Sequence, residues 1–439
     1  MGATPADGRG LRGRRLRWLT PPVVAFAVVV SSVFAVAGLS GTGARSAVQS
    51  AAPPRPVLTR VGAWTAALAG GGRRVHHRTV RMVVHPTIGG TGVRVRLSNR
   101  YGTGPLPVGA VDVAVQAHGG DAVPGTHHTA TFSGAGATTI PAGRDAATDP
   151  LAMTVNADEN LLVSVYFPGD AGASGRHWLA AETTYYSAPG DFAAADSTAH
   201  YPVSNGVWYY LSGLDVESAT TRGTLVAFGD SLTDGAGSST SANARWPDVL
   251  ARRLRDRPGG PLLGVVDAGL SGNRVLTDTG TRFGTSALHR FAHDALGQPG
   301  VTAVVLLEGI NDISVDRGPH GHLAAADLID AYRTLVRQAH AAGVRIYGAT
   351  LPPFQGSRPY TPAGERTRET VNRWMLGGHA FDAVFDLSAA LRDPARPHRL
   401  SPAYDSGDHL HPNDAGYRAM ANAIDLRTLT APLTPRAAG

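Results

Sequence analysis

After residue 222 the chain falls into a rhythm that few folds can satisfy. Five short apolar runs recur, at 225–228, 263–266, 304–307, 344–349 and 383–385, and each is followed by a longer stretch able to form a helix. Trp246, Val249, Leu250 and Leu254 fall at helical spacing, as do Leu328, Ala331, Tyr332, Leu335 and Ala339. Apolar runs without alternation suit strands buried on both faces. The pattern predicts an α/β fold: a five-stranded parallel sheet covered by helices on both sides, a flavodoxin-like three-layer α/β/α domain over residues 222–427.

Residues 57–220 have a different period. Val93, Val95 and Leu97 alternate with Arg94 and Arg96, Val111, Val113 and Val115 repeat the pattern, and 79–84 and 161–167 add two candidate strands. Gly/Pro clusters such as Gly89-Gly90 separate them. Alternation at period two with frequent turns predicts an all-β sandwich, jelly-roll-like, as an accessory domain. Its aromatic residues (Tyr166, Phe167, Trp178, Tyr185, Tyr186, Trp208, Tyr209 and Tyr210) either fill the sandwich core or form a sugar-binding face. Residues 51–56 read as a linker, and 428–439, rich in Pro, Ala and Thr, as a tail.

The net charge of +6 would matter for partners if it were spread over the chain. It is not. Residues 1–50 hold six arginines and one acid, Asp7, and the remainder is close to neutral, which gives no support for a nucleic-acid partner. Within that segment a basic stretch (9–17) precedes an uncharged apolar run (21–39) and then small residues, the layout of a secretory signal. The run is also long enough for a retained N-terminal anchor, which would be the chain's one route to a membrane. Either reading places the bulk of the protein outside the cytoplasm. With no cysteine, disulfides, thiolate nucleophiles and cysteine-held metals are excluded.

Four segments offer chemistry, and all follow residue 222. Gly229-Asp230-Ser231-Leu232 directly succeeds the first apolar run. Open α/β sheets bind ligands beyond the carboxyl ends of their strands, so Ser231 is placed as a nucleophile with outward N–H groups beside it; the alternative is a helix N-cap serine. Gly272, after the second run, frees an N–H for close approach to a ligand, or simply turns the chain. Asn311, after the third, can offer its amide to a developing negative charge, or merely forms an Asn-Asp turn. Asp408-His409-Leu410-His411-Pro412 precedes a predicted last helix over 413–424. A spacing of three lets the Asp408 carboxylate reach the His411 ring, fix its tautomer and leave the other nitrogen to take a serine proton. His409 stands as an alternative base, Asp405 as an alternative acid, and His409 with His411 as a metal-ligand pair, although no further ligand set with suitable spacing accompanies them.

Taken together, a nucleophile, a base with its acid, and two further donors at one sheet edge are what acyl transfer requires. These segments resemble, in order, the sequence blocks of the SGNH/GDSL hydrolase superfamily, and the GDSL tetrapeptide is literal at 229–232. The resemblance spans residues 222–427. It implies a Ser-His-Asp triad of Ser231, His411 and Asp408, an oxyanion hole from Ser231, Gly272 and Asn311, and no cofactor or metal. The GxSxG elbow of the α/β-hydrolases is absent. Segments 305–312 and 405–417, with the β-rich first half, are similar to secreted actinobacterial members; within the superfamily, many secreted members act on acetyl or other esters of carbohydrates and others on lipids. The expectation is a secreted serine esterase for small-molecule or polysaccharide esters. A lipid-directed lipase or acyltransferase and a non-catalytic glycan-binding surface protein are the alternatives. Acyl chain length, alcohol and oligomeric state are not legible in the sequence.

Overall fold

In the computed structural model, which describes residues 57–258, 262–314 and 323–431, the period-two segments pair into two antiparallel sheets. One contains, in spatial order, Thr59–Thr65, Leu211–Ser218, Thr91–Ser98 and Asp145–Ala147. The other runs Val203–Asn205, Thr184–Pro189, His76–Val84, Leu161–Asp170, Ala110–His118 and Asp121–Ala122, with His128–Thr129 also paired to Ala110–His118. Alternation explains the sandwich. Val93, Val95 and Leu97 are buried from one sheet and Val80, Met82, Val111, Val113, Val163 and Val165 from the other, in one shared core. The expected signal or anchor (1–50) and the linker (51–56) lie outside the described residues. No helix among the described residues is long and apolar enough to cross a membrane.

The five apolar runs form a parallel sheet. Its strands, in chain order, are Thr221–Gly229, Leu262–Gly269, Val301–Leu307, Arg345–Ala349 and Ala383–Phe385, and their spatial order is second, first, third, fourth, fifth. The direction of travel reverses after the second strand. Right-handed crossovers therefore put Trp246–Arg255 on one face and Ala287–Phe291, Ala325–Ala341 and Pro362–Gly377 on the other. The last long helix, Asp414–Ala423, packs beside Trp246–Arg255. The chain stays folded beyond residue 427. Helix Leu426–Thr430 buries Leu429 completely, and Tyr347 donates to the Thr428 carbonyl at 3.2 Å. The remainder of the expected tail, 432–439, is outside the described residues.

The two halves are joined by main chain and buried polar groups. Gly62 N–H, on the first sandwich strand, donates to Thr224 Oγ1 at 2.9 Å and lies 3.2 Å from the Pro299 carbonyl. A Cβ on Gly264 would stand 2.3 Å from the Gly62 carbonyl oxygen, so the backbones cross where only glycine fits. Arg96, outward-facing on its strand, bonds Gln298 Oε1 at 2.6 Å and Asp215 at 3.0 Å. The polar face of one sandwich sheet is thus covered by the α/β layers instead of water.

Candidate active site

The order 2-1-3-4-5 fixes where a ligand can sit. Crossovers leave the first and third strands in opposite directions, which opens a crevice beyond their carboxyl ends. Ser231 and Asn311 stand in the two turns that follow these strands.

Ser231 is the first residue of the short helix Ser231–Asp234. The N-cap is Asp230, whose carboxylate accepts from Leu232 N–H at 3.0 Å. The capping task is therefore done by the neighbour, and the serine hydroxyl is free for another partner. That partner is His411: Ser231 Oγ lies 2.8 Å from His411 Nε2. His411 Nδ1 in turn lies 2.5 Å from Asp408 Oδ2. Asp408 Oδ1 accepts the N–H groups of Leu410 at 2.9 Å and His411 at 2.8 Å, so the carboxylate is clamped by the bend that carries the ring. Burial pulls the Asp408 carboxyl upward, but these hydrogen bonds and the His411 ring outweigh it and hold it below its ordinary value. With Nδ1–H donating to a carboxylate, Nε2 is left to accept the serine proton.

The alternatives read from the sequence are placed elsewhere. His409 has φ +63°, and its Nδ1 lies 2.5 Å from Asp405 Oδ2, so these two residues pair with each other. His409 and His411 face different carboxylates. Among the described residues, the group of three with metal-ligating atoms within 4.8 Å of one another is Glu365, Glu369 and His398. Glu365 there is already engaged by Arg368 and by His398.

The loop after the second strand is tied to both neighbours. Gly272 has φ +79°, and a Cβ would stand 2.2 Å from the Phe283 ring, so no other residue fits. Asp234 Oδ2 accepts from Ser271 N–H at 2.9 Å and from Ser271 Oγ at 2.5 Å. On the other side, Asn311 Nδ2 donates to the Asn273 carbonyl at 2.9 Å, and Asp312 accepts from Val275 and Leu276 N–H at 2.8 and 3.0 Å. The sequence named Ser231, Gly272 and Asn311, and the structure binds their three segments together through Asp234, Ser271, Asn273 and Asp312. None of these four was singled out, because each acts on a partner more than thirty residues away and leaves no local spacing.

Arg290 is the other residue that sequence reasoning missed. It is 2% exposed and lies over the Phe228 ring at 3.9 Å. It donates to the Gly229 carbonyl, the Ala268 carbonyl and Asn273 Oδ1 at 2.7–2.8 Å, and to Glu308 Oε2 at 3.2 Å. One guanidinium thus holds the ends of the first three strands. Burial pushes the Glu308 carboxyl up to about 8 against the pull of Arg290, and pushes Asp230 up to about 7. Replacing Arg290 by Met is expected to destabilise the protein by roughly 3–5 kcal/mol, because it strands the buried Gly229 and Ala268 carbonyls and Asn273 Oδ1, at about 1–3 kcal/mol for each acceptor left without a donor. Urea unfolding checks this, with Arg333→Ala, an exposed helix pair with Asp330, expected to show no measurable shift.

Most of the eight sandwich aromatics are turned away from solvent. Phe167, Tyr186, Trp208, Tyr209 and Tyr210 are buried, Tyr166 and Tyr185 are half-buried, and Trp178 alone among them is exposed, at 37%.

Residues 227–419 match the profile of the GDSL-like lipase/acylhydrolase family. No curated protein matches the chain. Among solved structures, the chain is similar to the native aryl esterase of M. smegmatis, at 18% identity and a TM-score of 0.37, over 46% of this chain and 95% of that one. It is also similar to Est24, a carbohydrate acetylesterase from Sinorhizobium meliloti, at 16% identity and a TM-score of 0.34, over 46% and 95% of the two chains.

Proposed function

We propose, from the membership of residues 227–419 in the GDSL-like lipase/acylhydrolase family, which makes the chain a carboxylic ester hydrolase, that it works through a triad of Ser231, His411 and Asp408. The observation that carries this reading is the 2.8 Å contact between Ser231 Oγ and His411 Nε2, backed by the 2.5 Å contact from His411 Nδ1 to Asp408. His411 takes the hydroxyl proton as Ser231 Oγ attacks the ester carbonyl. The Ser231 and Gly272 N–H groups and the Asn311 amide donate to the oxyanion of the tetrahedral intermediate. As that intermediate collapses, His411 returns the proton to the leaving alcohol, and an acyl-serine remains. Water, deprotonated by the same ring, then releases the acid and restores Ser231.

The substrates proposed are short-chain acyl esters, including O-acetyl groups of carbohydrates. Supporting this is the resemblance of segments 305–312 and 405–417 to secreted members of a superfamily in which many secreted proteins act on such esters. Export itself is proposed from the basic and apolar layout of residues 1–50, and residues 57–220 are proposed as an accessory sandwich domain. The test is covalent trapping. A fluorophosphonate should abolish p-nitrophenyl acetate turnover with one adduct, on the tryptic peptide that contains Ser231. Turnover that survives full labelling, or an adduct on another residue that tracks the loss, would sink the reading.

A further inference from the structure

The sandwich reaches the candidate active site through one histidine. His177 ends the short strand Arg176–His177, is 2% exposed, and lies against Trp208 with ring centroids 5.3 Å apart. Its Nδ1 is 2.9 Å from the Ala67 carbonyl oxygen. Its Nε2 is 3.0 Å from the Leu179 carbonyl oxygen and 2.8 Å from Asp234 Oδ1. Carbonyls and carboxylates only accept, so both ring nitrogens carry a proton. The ring is an imidazolium facing a carboxylate in a site closed to water. Burial works against that charge, and Asp234 outweighs it, which raises the pKa of the ring above its ordinary value. Arg245, a second cation coupled to Asp234, is itself engaged by Asp248 at 2.8 Å and Asp267 at 3.5 Å.

Asp234 transmits this contact in two directions. It closes the helix that Ser231 opens. Its second oxygen holds both the N–H and the hydroxyl of Ser271, the residue before Gly272. An unbroken hydrogen-bond path therefore runs from the sandwich core to the loop that carries a proposed oxyanion donor.

We propose that His177 is a positioning residue for ester hydrolysis: through Asp234 it fixes Ser271, and with it the Gly272 N–H, relative to Ser231, so that the β-sandwich is a working part of the active site. This rests on the assignment of Ser231 and Gly272 given above. Without His177, Asp234 becomes a buried carboxylate that has lost its imidazolium. One side of a buried ion pair is then left without its partner, the carboxylate shifts, and Ser271 moves with it. A donor displaced by a fraction of an ångström weakens the transition state far more than the bound substrate.

The experiment uses the full chain, p-nitrophenyl acetate and fluorophosphonate titration to count working sites. His177→Ala should lower kcat per titrated site by roughly 10- to 100-fold while KM stays within about two-fold, the signature of an interaction made in the transition state. His177→Gln, whose amide can still donate to Asp234, should recover part of the loss. Ser271→Ala should lower kcat too. Arg255→Ala, which breaks a different bridge between the halves, to Asp158 at 2.5 Å, should leave kcat unchanged. A folded His177→Ala enzyme with wild-type kcat, or one whose loss only equals that of Arg255→Ala, overturns the proposal. If His177→Ala does not fold, wild-type kcat in both His177→Gln and Ser271→Ala overturns it instead. Ser231→Ala separates the two levels. Full activity in that variant removes the nucleophile assignment, whereas inactive Ser231→Ala beside unaltered His177 variants removes the positioning role alone.

Discussion

Ser231→Ala is expected to lower kcat for p-nitrophenyl acetate by about 10⁴- to 10⁶-fold, with the burst of p-nitrophenolate lost altogether. The size follows from what the substitution removes and what it spares. The hydroxyl whose oxygen stands 2.8 Å from His411 Nε2 is gone, and with it the acyl-serine. The backbone N–H of residue 231 is kept, so the oxyanion donors survive and a residual rate above that of water is expected. The fold should be unaffected. The residue is 6% exposed, the helix is capped by Asp230, and the Tyr417 hydroxyl that anchors this turn donates to the Ala236 carbonyl at 2.6 Å, which a Ser→Ala change does not touch. Unfolding midpoints within a degree or two of wild type, with turnover lost, separate chemistry from stability. A variant that keeps even a tenth of the wild-type rate would leave Ser231 without its role.

What the sequence made legible has a common cause. Segments that end apolar strands announce themselves, because period and turn residues are local. The strand ends at Gly229, Gly269 and Leu307 and the bend at 408–411 could all be found from their neighbours. The α/β layers and the sandwich followed from two periods, 3.6 and 2. Some elements were not located individually although signals existed. Helix Pro362–Gly377 starts on Thr361-Pro362, an N-cap whose side chain accepts from Gly364 N–H followed by a proline at the first helical position. Strand Leu211–Ser218 alternates only loosely, since Asp215 is buried against Arg96 on the side that meets the α/β layers. The supporting residues left no signal of this kind. Apart from Asp294 at i+4, Arg290 binds groups 17 to 61 positions away, and His177 meets Asp234 across 57. A lone arginine on a helix and a lone histidine in a β-rich stretch look like surface residues until the fold brings their acceptors together. The aromatic face is the converse case. Eight rings were conspicuous in sequence, but period-two strands turned most of them into the sandwich core.

The second large effect separates the two acid–histidine pairs of the C-terminal bend. Asp408→Asn is expected to lower kcat by about 10³- to 10⁴-fold, and Asp405→Asn by no more than a few-fold, in the same assay. The asymmetry comes from the hydrogen bonds that orient residue 408. Its Oδ1 accepts two backbone N–H groups, from Leu410 and His411, so an asparagine must keep its amide oxygen there. The amide N–H₂ is then turned toward His411 Nδ1, which has to accept. That choice puts the ring proton on Nε2, the atom facing Ser231, and a protonated nitrogen cannot take the hydroxyl proton. Binding is not involved, so KM should change little. Because the hydrogen bonds that hold the Asp408 carboxyl below its ordinary value keep it ionised through the neutral range, the wild-type enzyme should show none of this defect at neutral pH. Asp405 accepts from the Gly407 and His409 N–H groups, which an asparagine oxygen can still do, and the one ring it orients is His409, which lies beside Gly356 and not against Ser231. Equal losses in the two variants would mean that the bend acts as a single electrostatic unit, and the tautomer argument for Asp408 would then fall.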